Sequence, residues 1–178
     1  MYIWIACDVS EPLGFVREEC IRKNSELCLS DVAFSLPQHI SLKISFPVED
    51  AIFEDVISAI SKYLGEQSGF VLDEPKPELY GTILWLNFSS DSHLLRLHKE
   101  LDELLLDGFG VPLHDFDKCF KFHSTLFIDT QKELMQMYDF VCGIKMPKCV
   151  EVHRFIIGIS ESGKIGEYRV LREIAAIM

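Results

Sequence analysis

Two stretches of this chain alternate in polarity with a period of two, and each is followed by an amphipathic helical pattern. In the first, Ile40, Leu42, Ile44 and Phe46 alternate with His39, Ser41, Lys43 and Ser45. In the second, Phe120 to Ile128, the residues Lys121, His123 and Thr125 share one face, Phe122, Leu126 and Ile128 largely occupy the other, and Ser124 lies between them. Alternation of this kind marks a strand with one face in a core and one face available for chemistry. The helix after the first stretch carries Ile52, Val56, Ile60 and Tyr63 on its apolar side, and the helix after the second carries Leu134, Tyr138 and Val141. A histidine strand followed by a helix therefore occurs twice, as a weak internal repeat with two equivalent half-sites.

The rest of the chain fits around this pair. Tyr2 to Asp8 reads as a buried strand, and Ser10 with Pro12 starts a helix whose stripe is Leu13, Val16, Cys20 and Leu27. Phe70 to Leu72 and Leu79 to Phe88 read as two strands joined by a loop holding Pro75 and Pro77. Asp91 caps a helix bearing Leu94, Leu97, Leu101, Leu104 and Leu105, which Gly108 and Gly110 close. Val150 to Ser160 and Ile165 to Ile174 form a hairpin around residues 161–164. Strands and helices intermix, so the expected class is α+β, with residues 1–178 forming one domain or two closely joined lobes.

Composition narrows the partners. The formal charge of −11 opposes long-range attraction to a nucleic acid duplex, so a nucleic acid ligand should be small or short. The six cysteines (Cys7, Cys20, Cys28, Cys119, Cys142 and Cys149) contain no Cys-x-x-Cys pair, which argues against a zinc ribbon or a redox motif. There is no basic leader at the start and no apolar run near the ~20 residues that cross a bilayer, so no membrane association and a cytoplasmic location are expected.

Of the six histidines, only His39 and His123 have a hydroxyl residue two positions on followed by leucine, giving His39-Ile40-Ser41-Leu42 and His123-Ser124-Thr125-Leu126. On a strand this sets an imidazole and a hydroxyl on one face, roughly 7 Å apart. Cleavage of a phosphodiester needs a base for the attacking oxygen, an acid for the leaving oxygen and donors for the non-bridging oxygens. Two histidines and two hydroxyls supply all three without a metal or cofactor. His39 and His123 are thus the candidate acid and base, Ser41 and Thr125 the candidate phosphate clamps, and Lys43 and Lys121, on the same alternating faces, second-rank cations for the cleft.

These residues resemble the paired His-x-Thr/Ser motifs of the 2H phosphoesterase superfamily, which contains 2'-5' RNA ligase-like proteins and 2',3'-cyclic phosphodiesterases. The resemblance covers most of the chain: the first strand and helix, HISLKISF, HSTLFI, their spacing of 84 residues, and Gly166-x-Tyr168-x-Val170-Leu171 near the end. It implies a bilobed α+β fold with a pseudo-twofold axis, metal-free catalysis, His39 protonating the leaving ribose oxygen and His123 activating water. The implied substrates are nucleotides or short RNA ends carrying a 2',3'-cyclic phosphate; the alternatives are 2'-5' ligation or cleavage, or a nucleotide-binding module without turnover. The chain departs from the pattern in having serine in the first motif, which keeps the hydroxyl, and no basic residue at Phe127 to Asp129; the absent cation implies a smaller or differently held leaving group.

Other polar and aromatic residues have plainer readings. His93 and His98 are five apart, off the spacing that puts two ligands on one helix face, and read as edge or surface residues. His114, Asp115 and Asp117 read as a solvated loop. Tyr80, Trp85, Phe109 and Tyr168 stay outside the expected site, Trp85 as a core residue.

Overall fold

A computed structural model of the chain describes residues 1–88, 91–130 and 132–177. Nine strands and four helices occur among the described residues. The first half runs β1 (Tyr2–Asp8), α1 (Ser10–Leu27), β2 (His39–Pro47) and α2 (Phe53–Gly65). After β3 (Phe70–Asp73) and β4 (Lys76–Tyr80), the order repeats as β5 (Ile83–Asn87), α3 (Ser92–Phe109), β6 (His123–Ile128) and α4 (Glu133–Cys142). The chain continues with β7 (Cys149–Val152), β8 (Arg154–Ser160) and β9 (Arg169–Ala175). The repeat is therefore a full strand-helix-strand-helix unit, longer than the motif and helix visible in the sequence.

All strand pairings within the sheets are antiparallel. One sheet has the order β2-β1-β8-β9, another β4-β5-β6, and β3 pairs with β7 in a two-stranded ribbon. Each histidine strand thus lies beside the strand that opens its own half. The helices pack α1 on α4 and α2 on α3, and β2 meets β6, which is the pattern expected when two like halves face each other. A single apolar cluster joins the halves, with Ile5, Leu42 and Ile57 from the first and Leu84, Leu97 and Phe127 from the second. No described helix is long and apolar enough to cross a membrane.

Local chemistry sets the element ends. The Asp8 carboxylate accepts the Ser10 N–H at 2.9 Å to open α1, and Asp91 accepts the His93 and Leu94 N–H groups to open α3. Gly110, in the left-handed region at φ 67°, closes α3. Two expected boundaries move. Residues 70–88 hold three strands, because Pro77 lies in β4 at a sheet edge, where a missing N–H costs no ladder bond, and the Gly81 turn splits the expected second strand. Residues 150–160 break at His153, with β7 pairing to β3 and β8 to β1.

The main departure from strict alternation lies in the motif strands. In β2, Ser41 pairs with Ala6 and Lys43 with Ile5, so one extra residue, Leu42, is inserted. In β6, Thr125 pairs with Trp85 and Phe127 with Leu84, so the extra residue is Leu126. These are β-bulges at equivalent places, and each reverses the facing of the residues just beyond it; in β2 a second register shift between Lys43 and Phe46 restores it, so that Phe46 returns to the core. The leucine after each hydroxyl is the bulged residue. Lys43 and Phe127, each four past its histidine, both turn into the core; Ile128, expected on the core face, pairs with Ile83 and turns outward.

Lys43 therefore does not serve the cleft. It is 1% exposed, and its ammonium donates to Asp102 of α3 at 2.6 Å and to Asp117 in the turn before β6. His98, expected at the surface, is 2% exposed beside this pair, with Nδ1 at 2.7 Å from the Leu42 carbonyl and Nε2 at 3.1 Å from the Asp117 carbonyl. Asp117 is likewise buried, and its carboxylate also accepts the His114 N–H at 2.7 Å. His98, Asp102 and Asp117 lie close enough to form a cation site, but the Lys43 ammonium already pairs with both carboxylates. Removing one partner from a buried ion pair leaves uncompensated charge, at about 3–5 kcal/mol. Lys43→Ala should lower unfolding stability by about that amount in urea titrations, whereas Lys118→Ala, in an exposed pair with Asp115, should change it by under about 1 kcal/mol.

Candidate active site

His39 opens β2 and His123 opens β6, and the two imidazoles are held in the same way. His39 Nδ1 lies 2.7 Å from the Pro37 carbonyl, and His123 Nδ1 lies 2.7 Å from the Lys121 carbonyl, in each case two residues upstream. A carbonyl only accepts, so Nδ1 carries the proton and Nε2 is left for proton transfer. Each ring also rests against an indole from the neighbouring strand. The ring centroids of Trp4 and His39 are 4.4 Å apart, and those of Trp85 and His123 are 4.1 Å apart. A tyrosine backs each indole: Tyr168 lies edge-on to Trp4 at 6.4 Å, and Tyr80 stacks on Trp85 at 5.1 Å.

The indoles differ in their polar ends. Trp4 Nε1 donates to Ser41 Oγ at 3.0 Å, which occupies that oxygen as an acceptor and leaves the hydroxyl hydrogen to donate elsewhere. Trp85 Nε1 is buried without a hydrogen-bond partner among the described residues. Room for the Trp4 ring comes from Gly158 on β8, paired directly with Trp4; a Cβ at that position would overlap the indole.

The two motifs meet through their neighbours. Gln38, next to His39, donates from Nε2 to Ser124 Oγ, next to His123, at 2.6 Å, and both residues are buried. The Gln38 carbonyl in turn accepts the Val9 N–H at 2.9 Å, tying the join to the end of β1. The imidazoles are near enough for a charge on His123 to disfavour one on His39. Burial is the larger effect and pushes His39 down from 6.5 to about 4, with its backbone bond and Asp8 opposing. Burial also lowers His123, again opposed by its backbone bond and by Glu78. Both rings are therefore neutral at neutral pH before an anion enters, and a phosphate between them would favour their protonated forms.

Thr125, His39, Ser45 and Tyr168 line a cavity of about 180 Å³ at this meeting point, together with Ile128 and Leu36. Ser45 and Tyr168 hydrogen-bond through their hydroxyls. Of the residues expected in the site, His39 and Thr125 line this cavity, Ser41 is held by the Trp4 indole that also lines it, and His123 lies near enough to His39 to influence its charge. Lys121 is exposed, with its ammonium 4.5 Å from the Tyr80 ring centroid on the His123 side. Lys43 is withdrawn into the core and paired there with Asp102 and Asp117. Trp4, Trp85 and Tyr168, left outside the expected site or unremarked in the sequence, border these rings; for Trp85 the usable signal was strand register, since it pairs with Thr125 of the motif strand and shares its face.

No family model matches the chain, and no curated protein does. Solved structures do. E. coli LigT complexed with 3'-AMP superposes with a TM-score of 0.63 at 18% identity, covering 99% of this chain and 98% of that one. A phosphoesterase gives 0.65 at 17% identity over 99% of both chains, and TT0787 of Thermus thermophilus gives 0.64 at 17% over 98% and 97%. E. coli LigT has also been solved with ATP and with phosphate. This chain has the fold of those proteins, as the resemblance to 2H phosphoesterases implied.

Because folding favours the neutral rings, the unfolded chain takes up protons first as pH falls below 6.5, so stability is lost from there towards about 4. Proton NMR should show His39 titrating near 4 and His123 below 6.5, and His123→Ala should move the His39 value upward. An unchanged His39 titration in that variant would mean the rings do not sense each other.

Proposed function

We propose that this chain is a 2H-type phosphodiesterase, one domain of two lobes, that opens the 2',3'-cyclic phosphate of a nucleotide or short RNA end. The observation that carries the reading is the pair of imidazoles pinned alike at Nδ1 and brought together by the Gln38–Ser124 bond. With a phosphate between them, His123 Nε2 takes a proton from water as its oxygen forms a bond to phosphorus. The bond from phosphorus to one ribose oxygen breaks, and protonated His39 gives its Nε2 proton to that oxygen, leaving a phosphomonoester. Proton exchange with solvent then resets both rings.

The clamps act on charge. Ser41, with its oxygen engaged by Trp4, directs its hydrogen to a non-bridging oxygen, and Thr125 does so from the other strand. Each hydrogen bond to an ionised oxygen contributes about 1.5–3 kcal/mol. No step in this scheme calls for a metal, so excess EDTA should leave turnover unchanged.

His39→Ala and His123→Ala should each lower kcat/KM for a 2',3'-cyclic nucleotide by about 10²–10⁴. Ser41→Ala and Thr125→Val should each lower it by about 10–10². Since one ring must be charged and the other neutral in an enzyme whose rings are both shifted downward, kcat/KM should peak on the acid side of 6.5 and fall towards about 4. Full activity in either alanine variant, or no turnover of any cyclic mononucleotide, would remove the assignment.

A further inference from the structure

The cavity beside His39 differs in charge from the His123 side, where Lys121 lies, and this bears on which ligands reach the paired histidines. Among the described residues, the cavity beside His39 is lined by no lysine or arginine. Its walls include Val32, Ala33, Leu36, Ile128 and Ile165, with Trp4 and Tyr168 behind. Ile128 is there because the Leu126 bulge turns it outward; of the two lysines that strict alternation put on the site faces, Lys43 is paired with Asp102 and Asp117, and Lys121 lies against Tyr80 on the His123 side. At about 180 Å³ the cavity is below the ~300 Å³ of ordinary small-molecule pockets, so it holds one ring or alkyl group and not a whole nucleotide.

A recess next to the His123 strand points the same way. Beyond Asn87, which pairs with His123 in the sheet, a recess of about 550 Å³ is lined by Asp73, Glu74 and Asp91 against a single Lys76. A strand of RNA leaving the site on that side would bring phosphates past carboxylates. The chain as a whole carries −11, so nothing at long range offsets that repulsion.

We infer that the cavity beside His39 is a subsite for an uncharged ring, and that with the acidic flank it restricts the enzyme to substrates bearing one singly charged phosphodiester, namely mononucleoside 2',3'-cyclic phosphates in place of RNA ends. The inference rests on the proposed phosphodiesterase reading for its reaction, but its selectivity is a separate property.

Both are tested with adenosine 2',3'-cyclic phosphate and a 5'-phosphorylated trinucleotide ending in the same cyclic phosphate. At low salt, kcat/KM should favour the mononucleotide by at least about tenfold, and added salt should narrow the gap as the repulsion is screened. Ile165→Lys, at a rim position 68% exposed and so harmless to folding, should raise relative use of the trinucleotide by about threefold or more. Ile128→Arg should do so more strongly. Equal or better use of the trinucleotide by the unaltered protein, or no response to either variant, would overturn the subsite. If neither compound is cleaved, the catalytic reading falls alone. Calorimetric binding of the same two compounds then decides the subsite: tighter mononucleotide binding by about tenfold upholds it, and equal affinity rejects it.

Discussion

A single buried hydrogen bond, from Gln38 to Ser124, joins the residue before one histidine to the residue after the other. Its net contribution to stability is about 0.5–1.5 kcal/mol, but leaving either buried partner unmet costs about 1–3 kcal/mol, so the contact disfavours other alignments of the two strands more than it strengthens this one. The position of His39 relative to His123 follows from it. The Gln38 carbonyl accepts from the Val9 N–H and the Ser10 hydroxyl, which extends the same restraint to the end of the first strand and the start of the first helix. Proton transfer between two side chains from distant parts of a chain depends on such restraint, because displacement by about 1 Å can cost two orders of magnitude in rate.

The two halves use like geometry with unlike chemistry. Behind each motif a bulge turns one residue inward; in the second half this is Phe127, which packs edge-on to Phe34 at 5.1 Å, and in the first it is Lys43. A hydrocarbon would fill that place at less electrostatic cost. The lysine instead ties β2 to α3 and to the turn before β6, elements of the other half, through charge-assisted bonds with defined direction. The site thereby gives up a cation that would have faced phosphate, and keeps a fixed relation between the strands that carry its histidines.

Much of this was legible from residue types alone. Period-two alternation located both motif strands and period-3.6 stripes located the helices, because each pattern reflects a face buried against the core. The alternation also put His39 with Ser41, and His123 with Thr125, on the faces turned away from the core, for the same reason. Lys43 and Ile128 were not legible, since a bulge depends on cross-strand register, and register is a relation between segments with no mark in either one. His98 escaped for a related reason: its burial is made tolerable by the Leu42 and Asp117 carbonyls, which come from distant parts of the chain. Trp4 and Trp85 look like ordinary strand aromatics until their partners across the ladder are known.

Gly158 shows how far such relations reach. Its missing side chain is the space into which the Trp4 ring fits, and that ring in turn supports His39 and engages Ser41. Positions 4, 39, 41 and 158 consequently form one unit of inheritance: a lineage that acquires a bulkier residue on β8 must shrink its indole in step, and a divergent relative that has lost one member should be found to have refashioned the others.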